Sequence, residues 1–426
     1  MNLSNEQKLL IYCCQAPHRG DKLDKIRELL YPPLNWDEVL ESAKWHRIET
    51  LLYNSLIDLP ESQSIPPDFI EYIKKCFYSN TIKNINLFKE LEHLLDIFEK
   101  KGLNVMLLKG SFLGKTIYSN DAIRPLTDID IMVKVEDLEK AEKTLSENGY
   151  IFNGKRSPVW YRENNYHYQY AHPVKNIMVE LHWHILSKSE PDQIAIKEYD
   201  IINGFWERAI PLEIYDSNAL TLCPNDLLFY QCIHFLKHRF QSPNGGYRGV
   251  FNSKGSLLQL NDIYGALKYY RDAIDWESLE LEAAKYKVTH LIYSTLYLVR
   301  NIFGTDNDIL NEITKISEPG KLDHDLINLI QNRLFVREYV FSINPVSFYE
   351  SIREGNFKLK IKSLIHGLFP HPEMISKFYS LPISSKKIYF YYLRYIYDFI
   401  NHNKGHISAK PTLNEARVIN KWIAPN

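Results

Sequence analysis

The chain has 426 residues, 45% of them hydrophobic and 24% charged, the make-up of an ordinary globular protein with room for two or three packed units. Its 51 Lys/Arg stand against 52 Asp/Glu, a formal net charge of −1, so no global positive field draws it to nucleic acid. The balance hides an asymmetry, because from Ser351 onward twelve Lys/Arg face four Asp/Glu, leaving an acidic body and a basic tail. The five cysteines, Cys13, Cys14, Cys76, Cys223 and Cys232, form no Cys-x-x-Cys pair and suit reduced thiols in a cytoplasmic protein. Met1 to Gly20 carries Glu6, Lys8 and two cysteines and does not read as a secretory signal. The longest apolar run, Ile388 to Ile400, is broken by Arg394 and Asp398 and is too short to span a bilayer, so no membrane partner is expected.

The first hundred residues read as helical. Ser4-Asn5-Glu6-Gln7 has capping-box spacing ahead of Leu9 and Leu10. Asp21 to Leu30 is a second helix, stopped by Pro32-Pro33, and Asp37 to Leu56 a third, with an apolar stripe through Val39, Ala43, Leu51 and Leu52. Asp68 to Lys101 supplies one long helix or two, ended by Gly102. A mixed α/β stretch follows. It has a strand up to Lys109, a short helix from Ser111, a strand Asp128 to Val133, and a helix Glu136 to Asn148 ended by Gly149. Shorter strands come near Tyr150 to Asn153 and Tyr166 to His172, then Asn176 to His184. From Phe205 the pattern turns helical again, through His234 and His238, then Leu257 to Tyr270, Trp276 to Lys287 and Val288 to Phe303. Gln241 to Ser256 is a Gly/Ser/Asn-rich insertion, a lid or a plain loop, and the stretch from Phe357 to Tyr397 is aromatic and basic. This divides the chain into a helical subdomain at 1–102, an α/β core at 103–204, a helical subdomain at 205–340 and a basic aromatic segment at 341–426.

The chemistry gathers between Leu107 and Val133. Side chains alternate along a strand, so Asp128 and Asp130 share a face while Ile129 and Ile131 take the other. Two adjacent carboxylates repel each other and lose solvation unless a cation offsets them, and Mg²⁺ favours such oxygen ligands. Upstream, Gly110-Ser111 follows an apolar strand and opens a helix, where backbone N–H groups, a hydroxyl and the helix dipole all suit phosphate. In Asn176 to His184 the alternation sets Glu180, His182 and His184 on one face, so Glu180 is the natural third carboxylate. Lys109 and Arg124 are the adjacent cations. His182 and His184 also make a His-x-His, a weak zinc signal. His234, His238 and Asp262 carry no role the residues alone define.

Gly110-Ser111 followed by Asp128-Ile129-Asp130 resembles the signature of the polymerase-beta-like nucleotidyltransferase superfamily. Leu108-Lys109-Gly110, Arg124, Asp128 to Val133, Gly149-Tyr150 and Glu180-Leu181-His182-Trp183 are similar, in order and context, to its branch of uncharacterised bacterial nucleotidyltransferases. The resemblance covers roughly Trp36 to Asp262. It implies an α+β fold, a small mixed sheet flanked by helical subdomains. It also implies transfer of a nucleoside monophosphate from a triphosphate such as ATP to a hydroxyl or phosphate, with release of pyrophosphate. Asp128, Asp130 and Glu180 are then the catalytic metal ligands for Mg²⁺, with Mn²⁺ as the alternative ion. Lys109, Gly110, Ser111, Arg124 and His182 form the nucleotide side. A small molecule or peptide is the favoured acceptor and an RNA end the other class. Two other readings are a non-catalytic nucleotide-binding or regulatory module on the same fold, and a zinc hydrolase built on Glu180, His182 and His184.

Overall fold

In the computed structural model, which describes residues 2–15, 21–118, 120–154, 157–186, 200–215, 217–240, 250–304, 321–338, 340–341, 387–394 and 412–421, the first helix forms where its capping box places it. At the start of α1 (Asn5–Cys14) the Ser4 hydroxyl accepts from the Gln7 N–H at 3.3 Å, and the Gln7 side chain takes the Ser4 N–H at 3.2 Å. α2 (Asp21–Leu30) also agrees with expectation. The expected third helix is in fact two, α3 (Trp36–His46) and α4 (Glu49–Leu56). The break lies at Arg47, whose φ of +60° lets the Ile48 N–H reach back to the Ala43 carbonyl at 3.1 Å and puts Ile48 into the core. α5 (Pro67–Lys100) is a single helix of 34 residues. It ends in a Schellman motif at Gly102 (φ +64°), with Leu103 N–H to Phe98 O at 2.9 Å and Gly102 N–H to Glu99 O at 2.8 Å. Its buried stripe of Leu87, Leu91, Leu94 and Phe98 packs inward, each such side chain stabilising the fold by about 1.5–3 kcal/mol.

The mixed sheet has seven strands, β1 (Met106–Leu107), β2 (Ile129–Met132), β3 (Ile151–Phe152), β4 (His167–His172), β5 (Ile177–His182), β6 (Ile210–Ile214) and β7 (Ser217–Thr221), in the order β3-β4-β5-β2-β1-β7-β6. The central pair β2·β5 is parallel, as is β1·β7, and the other neighbours are antiparallel. An α+β architecture is therefore what the chain builds. Three local differences from the sequence reading matter. The strand before the Gly-Ser turn ends at Leu107, and α6 (Lys109–Thr116) already begins at Lys109. β2 pairs from Ile129, leaving Asp128 just outside it. The chain does not turn helical for good at Phe205, because after α9 (Asp200–Glu207) the hairpin β6–β7 returns to the sheet. Ile210, Leu212 and Ile214 do alternate, but Pro211 argues against a strand except at an edge, which is where β6 lies.

Further helices are α7 (Leu138–Glu147), α8 (Pro158–Asn164), α10 (Pro224–Arg239), α11 (Ser256–Tyr269), α12 (Trp276–Lys285), α13 (Thr289–Phe303) and α14 (His324–Arg333). The chain divides into two compact units, Met1–Lys237 with Lys254–Phe335, and His238–Ser253 with Val336–Asn426. The first holds the sheet and everything described below. In the second, β8 (Val250–Phe251) pairs antiparallel with β9 (Val340–Phe341), and Thr412 and Glu415 cap the helix Leu413–Lys421 reciprocally at 3.2 and 2.7 Å. Most of the Gln241–Ser256 insertion and most of the basic aromatic segment lie outside the described residues. Among the described residues no helix is long and apolar enough to cross a membrane.

Candidate active site

The pairing of β2 with β5 sets Asp130 directly beside Glu180. In register, side chains of neighbouring strands point to the same side, so the two carboxylates meet on one face. On that face β4 places Gln169 opposite Glu180 and His167 opposite His182. The other face carries Ile129, Ile131, Val179 and Leu181, all buried, which fixes the register because a slip by one residue would set the carboxylates on this apolar face instead.

Lys109 enters this group from the start of α6. Its φ of +38° is costly for a lysine, roughly 1–3 kcal/mol, and such strain is characteristic of functional positions. Its Nζ lies 2.8 Å from Asp130 Oδ1 and 3.6 Å from Glu180 Oε2. His182 brings Nε2 to 3.2 Å from Asp130 Oδ1 and 3.4 Å from Glu180 Oε2. Gln169 donates to Glu180 Oε1 at 3.1 Å, and His167 Nε2 is 3.6 Å from the same oxygen. Asp128, one residue ahead of β2, accepts from the Thr127 hydroxyl at 3.0 Å.

The three carboxylates are not alike electrostatically. Burial works against the charge on Asp130, but the Lys109 ammonium and the His182 hydrogen bond outweigh it and hold the group below the usual range. Burial also opposes Glu180, but the Lys109 ammonium and the His182 hydrogen bond pull the other way, and its carboxyl lies well below normal. At Asp128 the pull of Lys109 and of the Thr127 hydroxyl is outweighed. Burial, then the charges of Asp130 and Glu180, push it up to about 6. Burial opposes the charged Lys109 too, yet Asp130, Tyr230 and Glu180 raise it. His167 is driven down to about 3 by burial, so its imidazole is neutral.

A single ligand atom each from Asp130, Glu180 and His182 fall within 4.8 Å of one another, among the described residues the one such group. The donor set of two carboxylate oxygens and an imidazole nitrogen converging on one place fits a divalent ion. The expected trio is thus partly rearranged. Asp130 and Glu180 converge, His182 joins them, and Asp128 stands alongside.

Gly110 and Ser111, both buried, form the first turn of α6 beside Lys109. No side chain caps that helix start. A Cβ at Gly110 would come within 2.9 Å of Arg124 Nη1 and 3.1 Å of Leu126 Cδ2, so the close approach of the guanidinium requires glycine. Arg124 is gripped in two-pronged fashion by Asp262 of α11, Nε to Oδ1 at 2.9 Å and Nη2 to Oδ2 at 2.7 Å. Asp262 also accepts the Tyr118 hydroxyl at 2.8 Å, and Asn261 donates to that hydroxyl at 3.0 Å. Asp262 therefore ties α11 to the loop before β2.

His184 turns away from the carboxylates. β5 ends at His182, and the His184 Nδ1 accepts the Leu186 N–H at 3.1 Å. The His234 ring on α10 lies tilted with its centroid 5.7 Å from that of Tyr230, and Tyr230 reaches Lys109, whereas His238 falls in the second unit. His167, Gln169 and Tyr230 were missed in the sequence. The first two had a usable signal, since His167, Gln169 and Ala171 alternate with the buried Tyr168 and Tyr170. Tyr230 had none, lying in a helix buried on nearly all sides.

The model of a family described as an uncharacterised nucleotidyltransferase matches residues 32–304, a span that takes in the whole cluster. A comparison with curated proteins finds no match.

Proposed function

The chain belongs to that nucleotidyltransferase family, and from this premise we propose that it moves a nucleoside monophosphate from a triphosphate to an acceptor hydroxyl or phosphate, with a divalent cation held at the carboxylate cluster. The observation that carries the reading is the in-register pair Asp130–Glu180, whose ligand atoms converge with that of His182. Asp130, Glu180 and His182 would hold the ion, and Asp128 would share in binding it. A bound Mg²⁺, or Mn²⁺, which tolerates the imidazole ligand readily, supplies Lewis-acid stabilisation of the phosphoryl oxygens.

The side chains have distinct tasks. Lys109, pinned on Asp130, keeps that carboxylate charged and oriented. Gly110 and Ser111, at a helix start with free N–H groups, seat phosphate oxygens, and Arg124 leans its Nη1 over the same turn. Glu180, held so far below its ordinary range, is better suited to holding a cation than to taking a proton. In the reaction the acceptor oxygen bonds to the α-phosphorus as the α–β bridging oxygen leaves with pyrophosphate. A small molecule or peptide acceptor is favoured over RNA by the net charge of −1, since a protein that grips an RNA backbone is usually basic.

Labelling tests this reading. The protein is incubated with Mg²⁺ or Mn²⁺, a source extract fractionated into small molecules, peptides and RNA, and nucleotides labelled at either the α- or the γ-phosphate. One fraction is expected to gain α-label and no γ-label. Transfer of γ-label would make the protein a kinase. Label in no fraction, from a chain that still binds nucleotide, would favour the non-catalytic module.

A further inference from the structure

Two carboxylate oxygens at the centre of the cluster are each approached by the same two nitrogens. Asp130 Oδ1 has the Lys109 Nζ at 2.8 Å and the His182 Nε2 at 3.2 Å. Glu180 Oε2 has them at 3.6 and 3.4 Å. A carboxylate oxygen offers two lone pairs, so these two nitrogens use the acceptor capacity of Asp130 Oδ1. A cation that draws on Asp130, Glu180 and His182 together therefore replaces a contact that the protein already makes.

The two nitrogens differ in what they can become. The His182 ring nitrogen donates or accepts according to its tautomer, so a neutral imidazole can turn from donor to ligand without leaving its place. The Lys109 ammonium has three donors and no lone pair, and can never be a ligand. It also repels a second cation on the oxygens that it touches. That repulsion is strong here, because the Lys109 and Asp130 side chains are only 15% and 4% exposed and little water screens them. Lys109 is thus the group that has to yield. Its left-handed backbone, at φ +38°, persists only while the surroundings pin the residue. It also opens α6 beside Gly110 and Ser111, at the helix start that suits phosphate.

We propose that Lys109 is an exchangeable counter-ion, which holds Asp130 and Glu180 until a divalent cation displaces it and then turns to the phosphates of the bound triphosphate. Cation and triphosphate are thereby coupled, each favouring the other through one lysine. This role rests on the reading of the cluster as a divalent-cation site, whatever reaction follows there.

The test is calorimetric titration of the full chain with Mn²⁺, without nucleotide and at fixed ionic strength. Wild type is compared with Lys109→Met, Lys109→Gly, Asp130→Asn and Lys115→Met. Glycine takes a positive φ freely, so Lys109→Gly carries the test if the methionine variant does not fold. Lys115 lies on the same helix but pairs with Asp121 at 3.2 Å, and its replacement controls for the general loss of a charge. Both Lys109 variants should bind Mn²⁺ at least about tenfold more tightly than wild type, with Lys115→Met within about twofold and the site lost in Asp130→Asn. In saturating Mn²⁺ the same Lys109 variants should bind inorganic tripolyphosphate about tenfold more weakly. Their melting temperature should fall in chelator and recover in Mn²⁺, which the loss of a merely structural lysine would not produce. Mn²⁺ affinity at or below wild type in the Lys109 variants, an equal rise in Lys115→Met, unchanged tripolyphosphate affinity, or no Mn²⁺ binding by any chain overturns the exchange. The two readings fail separately. Unchanged Mn²⁺ affinity in the Lys109 variants, with α-label transferred by wild type, removes the exchange and leaves the reaction. Tighter Mn²⁺ and weaker tripolyphosphate binding in those variants, with no label transferred by wild type, removes the reaction and leaves the exchange.

Discussion

Asp130→Asn is expected to lower nucleotidyl transfer by about a thousandfold and to destabilise the protein at the same time. The second effect comes from Lys109. Its ammonium lies 2.8 Å from Asp130 and is largely buried, so an uncharged amide leaves it with the more distant Glu180 at 3.6 Å. Removing one partner of a buried pair typically costs 3–5 kcal/mol, and the remaining carboxylate should keep this case near 3 kcal/mol. The pH dependence follows from the direction of the Asp130 shift. A carboxyl held below its unfolded value stabilises the fold above the ordinary carboxylate range and loses that contribution as pH falls. Urea unfolding should therefore separate variant from wild type at pH 7.5 and bring them together in acid. A variant as stable as wild type at pH 7.5 would show that Lys109 does not depend on Asp130.

Asp128→Asn should remove transfer as thoroughly yet make the metal-free protein more stable. Asp128 has the opposite shift, up to about 6, because burial and two neighbouring carboxylates oppose its charge. A raised acid contributes stability below its unfolded value and loses it as pH rises through the folded one, here between about 4 and about 6. An asparagine never charges, so at pH 8 in chelator the variant should gain about 2 kcal/mol after allowing for the partial exposure of the side chain. Below pH 4 the gain should vanish. Two carboxylates two residues apart would then give equal losses of activity and stability changes of opposite sign. Loss of stability at pH 8 on replacing Asp128 would mean that a cation of the protein already compensates it.

Much of this centre could be read from the residues, because strand alternation is short-range. Asp128, Asp130, Glu180 and His182 fall on one face by counting in twos, and Gly102 and Gly149 end helices where expected, at φ +64° and +84°. What could not be read is which strands are neighbours. That Asp130 lies beside Glu180, 50 residues away, depends on β2 and β5 being parallel partners. The same pairing recruits His182 to the ion-binding group and leaves Asp128 beside it. The Arg124–Asp262 pair spans 138 residues and has no local signature. The break at Arg47 was hidden because its apolar stripe continues through Ile48 and Leu51 as in one helix, and only the backbone turn separates α3 from α4. β6 was obscured by Pro211, which suits the edge strand it forms, and β7 by the polar Ser217-Asn218 at its start.

The most direct test of nucleotide use at this cluster is the melting temperature of wild type and Asp128→Asn with ATP, GTP, CTP or UTP, each in Mg²⁺ and in chelator. A ligand that binds only the folded state raises the midpoint by mass action. At least one triphosphate should raise the wild-type midpoint in Mg²⁺ but not in chelator, and the rise should be lost in Asp128→Asn. Equal midpoints with every triphosphate up to millimolar concentration, or a rise that ignores both the metal and Asp128, would contradict it.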